Sequence, residues 1–413
     1  MPLPPAMHLR IFLPFALGYF LSYLYRTVNA VIAPDLVRDV GVDPARLGLL
    51  TSAYFLAFAA AQLPLGILLD RYGPRRVEAL LLLFAAAGAL LFARASTFGE
   101  LLLGRALIGL GVAACLMAAF KAFTQWFPPE KLPFTNGIQM VSGGFGALAA
   151  TTPVELALQA TDWRGVFVVL SGATLAVALC IFLVVPEQPA GMGGEPLRRQ
   201  LAGVAEIFSS RTFWEITPWA LTAQASYLSL IGLWAGPWLR DVAGLERIAV
   251  ANTLMGVSLT MIGGYFAFGT LAARLGRRGI PPARVAAVGM TIFLVMQVPI
   301  VLQTPGLAVP LWLGFGFFGT AGILPYAVLS QQFPQRLAGR VNTGLNLLVF
   351  LAAFAAQWGV GVIIGQWPET AAGGYDPAGY RWGLGLLVGL QVLGAGWYRL
   401  SAGQSRPAGA QLP

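Results

Sequence analysis

Twelve long apolar runs divide this chain and leave only short polar segments between them. A helix that crosses a lipid bilayer needs roughly 20 mostly apolar residues, and every run meets that length. The runs cover residues 11–33, 47–69, 77–96, 98–126, 133–156, 164–186, 212–239, 248–273, 281–303, 308–333, 340–366 and 379–400. Of the 413 residues 57% are hydrophobic and 10% are charged, which leaves too little polar surface for a water-soluble fold. We therefore predict an all-α polytopic membrane protein of twelve transmembrane helices, with the lipid bilayer as its solvent.

The basic residues that give the net charge of +9 are concentrated in alternate loops. Cytoplasmic loops of membrane proteins carry an excess of Lys and Arg, and the intervening loops here carry mixed charges. The arginines of the alternate loops are Arg71, Arg75, Arg76, Arg198, Arg199, Arg211, Arg274, Arg277, Arg278, Arg284, Arg336 and Arg340. This placement predicts a multi-pass protein of the cell membrane with both termini in the cytoplasm, and it argues against nucleic acid as a partner.

Residues that commonly build disulfides, metal sites and active sites are scarce in the spans. Cys115 and Cys180 both lie inside apolar runs, so we expect no disulfide framework. His8 is the only histidine and precedes the first run, so histidine cannot supply a buried proton relay or a multi-ligand metal site. We expect no cofactor and no enzymatic activity, because the spans hold no constellation of paired acids or activated serine. Short termini and predicted outer loops without N-glycosylation sequons are typical of a bacterial inner membrane protein.

A repeat relates the two halves of the chain. Phe127-Pro128 precedes Asn136, and Phe333-Pro334 precedes Asn342 with the same spacing. We therefore predict two equivalent six-helix halves around a site near the bilayer midplane. The predicted parts are an N-terminal bundle (1–186), a cytoplasmic central linker (187–211), a C-terminal bundle (212–400) and a cytoplasmic tail (401–413).

The loop between the second and third runs carries the most specific motif. Residues 66–76 read GILLDRYGPRR. This segment resembles the loop between helices 2 and 3 of the major facilitator superfamily of secondary transporters. The resemblance implies two pseudo-symmetric six-helix bundles that rock about a central site. It also implies that Asp70, Arg71, Gly73 and Arg75 form a gate that holds the halves together on the cytoplasmic side when the cavity opens outward.

One further motif of the chain also resembles the superfamily, and another differs from the superfamily pattern at one position. Arg105-x-x-x-Gly109 resembles the helix 4 motif of the superfamily, which implies that Arg105 bonds within the N-terminal half. Residues 269–278 repeat the gate motif weakly, with Ala273 in the position of the acid. We therefore expect the matching C-terminal gate to be weaker or absent.

Arg26 is the charge that lies deepest in a predicted span. Fifteen residues of the first run precede it and seven separate it from Pro34, so about 10 Å or more of helix lies on either side. A charge at that depth costs roughly 2.5 to 3.5 kcal/mol, so it favours a functional role. Tyr19, Tyr23 and Asn29 recur with it at helical spacing. We expect this polar face to line a wet cavity that binds substrate.

The segment around Arg26 predicts the substrate class. Tyr25-Arg26-Thr27 and the downstream Lys121 are similar to the organic-anion and organophosphate branches of the superfamily, in which a helix 1 arginine contacts an anionic substrate. A guanidinium can bind a carboxylate bidentately, and Lys adds a compact charge, although Lys121 could instead extend to the cytoplasmic surface. Tyr25 replaces the acid common in organic-anion symporters, and the seventh run has no core arginine for a phosphate clamp. These departures favour a monocarboxylate.

Four further residues complete the predicted site. Tyr227, Tyr326 and Asn346 are expected to line the cavity, with helix packing as the alternative role. Glu155 lies near the outer end of the fifth run, where a buried carboxyl could carry a coupling proton. The alternative for Glu155 is a solvent-facing helix end.

The predicted function is that of a monomeric secondary active carrier that moves a small organic anion by alternating access, with proton symport favoured over exchange. One alternative is an exporter of hydrophobic compounds, which the 12% aromatic content would suit and Arg26 would not. The other alternative is a transporter-like receptor that binds an anion without moving it.

Overall fold

The structure is a computed structural model that describes residues 5–128, 131–187, 197–304, 306–370 and 373–404. The helices of the first half are α1 (Pro5–Thr27), α2 (Asn29–Val40), α3 (Pro44–Tyr72), α4 (Pro74–Arg94), α5 (Phe98–Gly111), α6 (Cys115–Trp126), α7 (Leu132–Ala149), α8 (Thr152–Ala160) and α9 (Trp163–Val184). Those that follow are α10 (Leu197–Phe208), α11 (Arg211–Ser229), α12 (Ala235–Asp241), α13 (Arg247–Gly276), α14 (Pro282–Val301), α15 (Ala308–Gly319), α16 (Leu324–Gln332), α17 (Gln335–Ile364) and α18 (Pro377–Gln404).

Each predicted span corresponds to one helix or to two helices joined by a short break, so the predicted all-α, twelve-span fold is confirmed. α1 and α2 meet at a bend of 47°. A π-helical turn (Leu230–Trp234) joins α11 to α12, and a 3₁₀ turn (Thr320–Ile323) joins α15 to α16. By length and composition alone, eight of the described helices can cross a membrane, or nine if the bent pair is one span. Breaks of this kind in membrane helices are tolerated where the freed backbone groups lie inside protein.

The helices pack as two groups. In the first group α4 packs against α5 and α9, and α1 packs against α7; in the second α11 packs against α17 and α18, and α13 packs against α15. The main contacts between the groups are those of α3 with α17 and of α7 with α13. The repeat lies at equivalent places, since Phe127 follows α6 and Phe333 follows α16.

Two predicted segments, the central linker and the C-terminal tail, contain helical residues that the sequence did not predict. The predicted linker contains α10, and its residues 188–196 lie outside the described residues. The predicted tail contributes its first four residues to α18, and 405–413 lie outside the described residues.

Candidate substrate site

A central cavity lies between the two groups of helices. Its volume is about 480 Å³. The first group lines it with Tyr19, Ser22, Tyr23, Arg26, Phe58, Gln62, Val112, Ala113, Leu116, Met117, Phe120 and Met140. The second group lines it with Gln224, Tyr227, Leu228, Tyr265, Ile323, Tyr326, Gly339, Asn342, Asn346, Val349 and Phe350. The cavity reaches Gly339, near the start of α17, and so extends toward the end of the molecule that carries the 66–76 loop, which we call the Asp70 end. The opposite end is called the Arg247 end.

Arg26 lies in the wall of this cavity and is 7% exposed. No acidic side chain pairs with it among the described residues, and its Nε has no hydrogen-bond partner there. Its guanidinium carbon lies 4.5 Å from the ring centroid of Tyr23, 5.4 Å from that of Phe58 and 5.1 Å from that of Phe350. Aromatic faces stabilise a cation by about 0.5 to 2 kcal/mol each, but they do not neutralise its charge. The site therefore presents a positive charge that a bound anion can neutralise.

The helix α7 packs closely enough to fix the aromatic rings beside Arg26. A Cβ built on Gly143 of α7 would lie 2.5 Å from Cε1 of Tyr19 and 2.7 Å from Cδ2 of Tyr23. The two tyrosine rings stack edge to face at 5.1 Å between centroids. Glycine is therefore needed at position 143 for both rings to take their places.

Polar side chains connect the two groups of helices across the cavity. The amide nitrogen of Asn346 donates to Oε1 of Gln62 at 3.0 Å, and the hydroxyl of Tyr326 donates to Oδ1 of Asn346 at 3.1 Å. The hydroxyls of Tyr23 and Tyr265 are 3.3 Å apart. These contacts are made by neutral groups on both halves, so a bound solute can replace them with hydrogen bonds of its own.

Tyr227 provides a further polar atom in the cavity wall. Its ring stacks on Phe315 with 5.6 Å between the ring centroids. Its hydroxyl is buried and has no hydrogen-bond partner among the described residues. A buried hydroxyl without a partner is costly, so this group is suited to bind a ligand.

Asn29 and Lys121 lie outside the lining of the cavity, which corrects the placement expected from the sequence. The bend at Val28 separates α1 from α2, so helical spacing no longer keeps Asn29 on the face of Arg26. Nζ of Lys121 lies 2.7 Å from Oδ1 of Asp70. The lysine therefore neutralises the acid of the 66–76 loop instead of adding a second charge to the cavity.

The 66–76 loop makes its described contacts within the first group of helices. Arg75 donates to the backbone oxygen of Phe182 at 2.8 Å and lies 3.4 Å from the carboxylate of Glu187. Arg71 lies over the ring of Tyr72. Gly73 has a φ of +78°, a conformation that residues with a Cβ rarely adopt, and it forms the tight turn between α3 and α4.

A cluster of charges joins the two groups of helices at the Arg247 end. Arg247 of α13 makes a bidentate contact with Asp35 of α2, at 2.9 and 2.5 Å, and a third contact with Glu155 of α8 at 2.6 Å. Both acids are buried, at 6% and 5% exposed. Glu155 is thus neither facing solvent nor free, because its Oε1 accepts a hydrogen bond from the arginine of the other half.

Several residues of the site were not predicted from the sequence. Gln62 and Tyr265 could have been found as polar side chains inside apolar runs, by the argument applied to Arg26. Phe58 and Phe350 had no signal, since an aromatic residue in a span is usually a packing residue. The cross-half role of Arg247 was also missed, because the outer loop containing it carries mixed charges.

Comparison with known proteins places the fold. The family model described as Major Facilitator Superfamily matches residues 15–357. The chain is similar in structure to a solved bacterial homolog of the human lysosomal transporter Spinster, with 21% identity, a TM-score of 0.77 and 97% of each chain covered. The chain belongs to the Major Facilitator Superfamily.

Curated relatives are transporters by name. The chain is 36% identical over 138 residues to the nitrate/nitrite transporter NrtP of a Picosynechococcus species, a match that covers 33% of this chain and only 26% of that protein. It is 26% identical to the probable sulfoacetate transporter SauU of Cupriavidus necator, and this match covers 80% of this chain and 82% of that protein. It is 25% identical to the hexuronate transporter of Bacillus subtilis, and this match covers 92% of this chain and 94% of that protein.

Proposed function

We propose that this protein is a secondary active carrier that moves a small organic anion across a membrane by alternating access, with Arg26 as the group that binds the anionic end. The observation that carries the proposal is the position of Arg26, buried in the wall of the central cavity with aromatic neighbours and with no acid paired to it in the described parts of the chain. A positive charge in such a site costs free energy, which an anion offsets when it binds.

Arg26 is the one arginine among the described residues that line the cavity, and this favours a substrate with one carboxylate. A guanidinium binds a carboxylate through two parallel hydrogen bonds, which neutralises both groups. Lys121 is paired with Asp70 and adds no charge to the cavity, so a dianion would keep one charge without a partner. The names of the relatives agree with an anionic solute and include a hexuronate, which carries a single carboxylate.

The rest of the cavity suits a solute with hydroxyl groups. Gln62, Asn346, Tyr326 and Tyr227 offer neutral donors and acceptors on both halves. Hydroxyls that reach these side chains would hold the two halves around the solute, and a neutral amphipath would leave the hydroxyl of Tyr227 without a partner. A hydroxylated monocarboxylate such as a sugar acid therefore fits better than a hydrophobic drug.

Alternating access assigns a role to each end of the molecule. The Arg247 cluster closes one end, while the cavity extends toward the Asp70 end. With the Asp70 end in the cytoplasm, this form is the one that faces inward. The proposal places the protein in a bacterial inner membrane, with both termini cytoplasmic, as a monomer. Asp70, Arg71, Gly73 and Arg75 form the inner gate in the opposite form, when Asp70 exchanges Lys121 for a partner on the other half.

Uptake into proteoliposomes tests this proposal. The probes are radiolabelled galacturonate, sulfoacetate and nitrate, with galactose as the neutral analogue and Arg26→Lys as the variant. We expect uptake of galacturonate, little uptake of galactose, and a large loss in Arg26→Lys, because lysine keeps the charge but lacks the planar fork. Arg46→Lys, at a side chain 64% exposed, is the matched control. Export of neutral amphipaths that is unaffected by Arg26→Lys would replace the proposal with the exporter.

A further inference from the structure

Glu78 is a fully buried acid that the function described above does not use. It lies in the second turn of α4, is 0% exposed, and neither carboxyl oxygen has a hydrogen-bond partner among the described residues. The other deeply buried acids differ in this respect, because Asp35 and Glu155 pair with Arg247, and Asp241 pairs with Arg240. Glu78 gives no clear signal in the sequence, because it lies only two residues after the arginines of the 66–76 loop.

Three other helices meet the carboxyl of Glu78. A Cβ built on Gly18 of α1 would overlap Oε1 of Glu78, so the carboxyl packs directly against the backbone of α1. Ile181 of α9 reaches the same spot and is apolar. Cys115 of α6 is the one titratable side chain that interacts with the carboxyl among the described residues, and a thiol is only a weak donor.

Among the described residues no cation forms an ion pair with Glu78. Arg75 and Arg76, the arginines near it on its own helix, pair with Glu187 instead. An isolated carboxylate in an apolar interior is far costlier than the neutral acid, so the group binds a proton in this form of the protein.

Two residues near the carboxyl of Glu78 are next in sequence to residues that line the central cavity. Gly18 immediately precedes the cavity residue Tyr19, and Cys115 immediately precedes the cavity residue Leu116. Arg26 lies on the same helix as Gly18, about 12 Å further along α1.

We propose that Glu78 is the proton-binding site of the carrier, and that it couples the entry of one proton to the binding of one anion at Arg26. The step is a proton transfer: an O–H bond forms when a carboxyl oxygen of Glu78 accepts a proton from water on one side, and the same bond breaks when the proton returns to water on the other side.

The coupling follows from burial. The carboxyl can lie in this apolar site only with its proton, so the proton leaves when the site opens to water in another form of the carrier. A difference between the two forms in their affinity for the anion then links proton binding to anion binding. This assignment replaces Glu155, whose carboxylate forms an ion pair with Arg247 of the other half.

Two measurements test the assignment. Only the second measurement rests on the proposed function. The first is infrared difference spectroscopy of the wild type against Glu78→Gln, without any solute, at neutral pH. We expect a protonated-carboxyl C=O band that is absent in Glu78→Gln and persists in Glu246→Gln, a variant at an exposed acid. A carboxylate signal in place of that band would overturn the proposal, whether or not the protein carries anions.

The second measurement compares two modes of galacturonate transport in proteoliposomes. Glu78→Gln is expected to lose accumulation driven by a pH gradient by at least tenfold, while exchange of labelled for unlabelled galacturonate continues within a few fold of wild type. Retained gradient-driven accumulation overturns the proposal. Loss of both modes also overturns it, because it makes Glu78 a structural residue. Absence of galacturonate transport in the wild type is a failure of the proposed function and leaves the infrared result to decide on Glu78.

Discussion

Arg247 and Asp35 form a bidentate ion pair between the two halves of the molecule, with nitrogen–oxygen distances of 2.9 and 2.5 Å. Glu155 accepts a third hydrogen bond from the same guanidinium. Since α13 belongs to one half and α2 and α8 to the other, these contacts must break for the Arg247 end to open. The cluster is therefore a two-state element whose stability sets the populations of the two forms.

Replacing Arg247 by alanine should shift the protein toward the form open at the Arg247 end. The shift is expected to be about 1 to 2 kcal/mol, a modest value because the Arg247 side chain is 41% exposed and solvent screens the pair. Double electron–electron resonance between spin labels on α2 and α13 would report the longer distance. Arg381→Ala, at an exposed arginine outside the cluster, is the control, and an unchanged distance distribution in Arg247→Ala would remove the cluster from the gating mechanism.

Asp70→Asn should slow transport strongly while galacturonate affinity stays within a few fold, because Asp70 lies away from the cavity lining. Lys121→Gln breaks the same 2.7 Å pair from the other side. The two side chains are about 40% exposed, so their pairing itself contributes only about 0.2 to 1 kcal/mol. Flux and binding measured on both single variants and the double variant test this. If Asp70→Asn abolished binding, the gate role would be wrong.

Gly143→Ala should weaken substrate binding by roughly tenfold, about 1.4 kcal/mol, because the added methyl group would displace the rings of Tyr19 and Tyr23 beside Arg26. Gly137→Ala is a matched control on the same helix, since its Cβ would meet no atom within 4 Å. Titration of both variants with galacturonate measures the two affinities. Equal affinities would show that the two tyrosine rings do not shape the site.

Tyr227→Phe should lower galacturonate affinity by a few fold to tenfold without lowering thermal stability. The hydroxyl that is removed has no partner in the protein, so only a hydrogen bond to the solute, worth about 0.5 to 1.5 kcal/mol, is lost. Tyr54→Phe is the contrasting variant, because the Tyr54 hydroxyl donates to the backbone oxygen of Ser22 at 3.1 Å. That variant should lose stability. A Tyr227→Phe protein with unchanged affinity would place the hydroxyl outside the site.

The fold was predictable because span length and the 66–76 motif each constrain it independently. The position of Arg26 was predictable for a similar reason, since a charge so deep in a span must face the protein interior. The partners of other charged residues were not predictable, because those pairs depend on contacts between segments that are distant in sequence. Lys121 meets Asp70 and Glu155 meets Arg247 across 51 and 92 positions of sequence, and no local pattern encodes such pairs.

Helix breaks were the second source of error. A regular helix would have kept Asn29 on the face of Arg26, but the bend at Val28 ends that regularity. Glu78 shows the opposite problem: its neighbours in sequence are loop arginines, while its neighbours in space are Gly18, Cys115 and Ile181.

The most direct test of the central claim is isothermal titration of purified protein with galacturonate, using wild type, Arg26→Lys and Arg26→Ala. Thermal unfolding of each protein without solute is the check on folding. We predict measurable binding to the wild type, at least tenfold weaker binding to Arg26→Lys, and none to Arg26→Ala, because the carboxylate then has no buried positive charge to neutralise. Wild-type affinity in a folded Arg26→Ala protein would contradict the account and make Arg26 a structural residue.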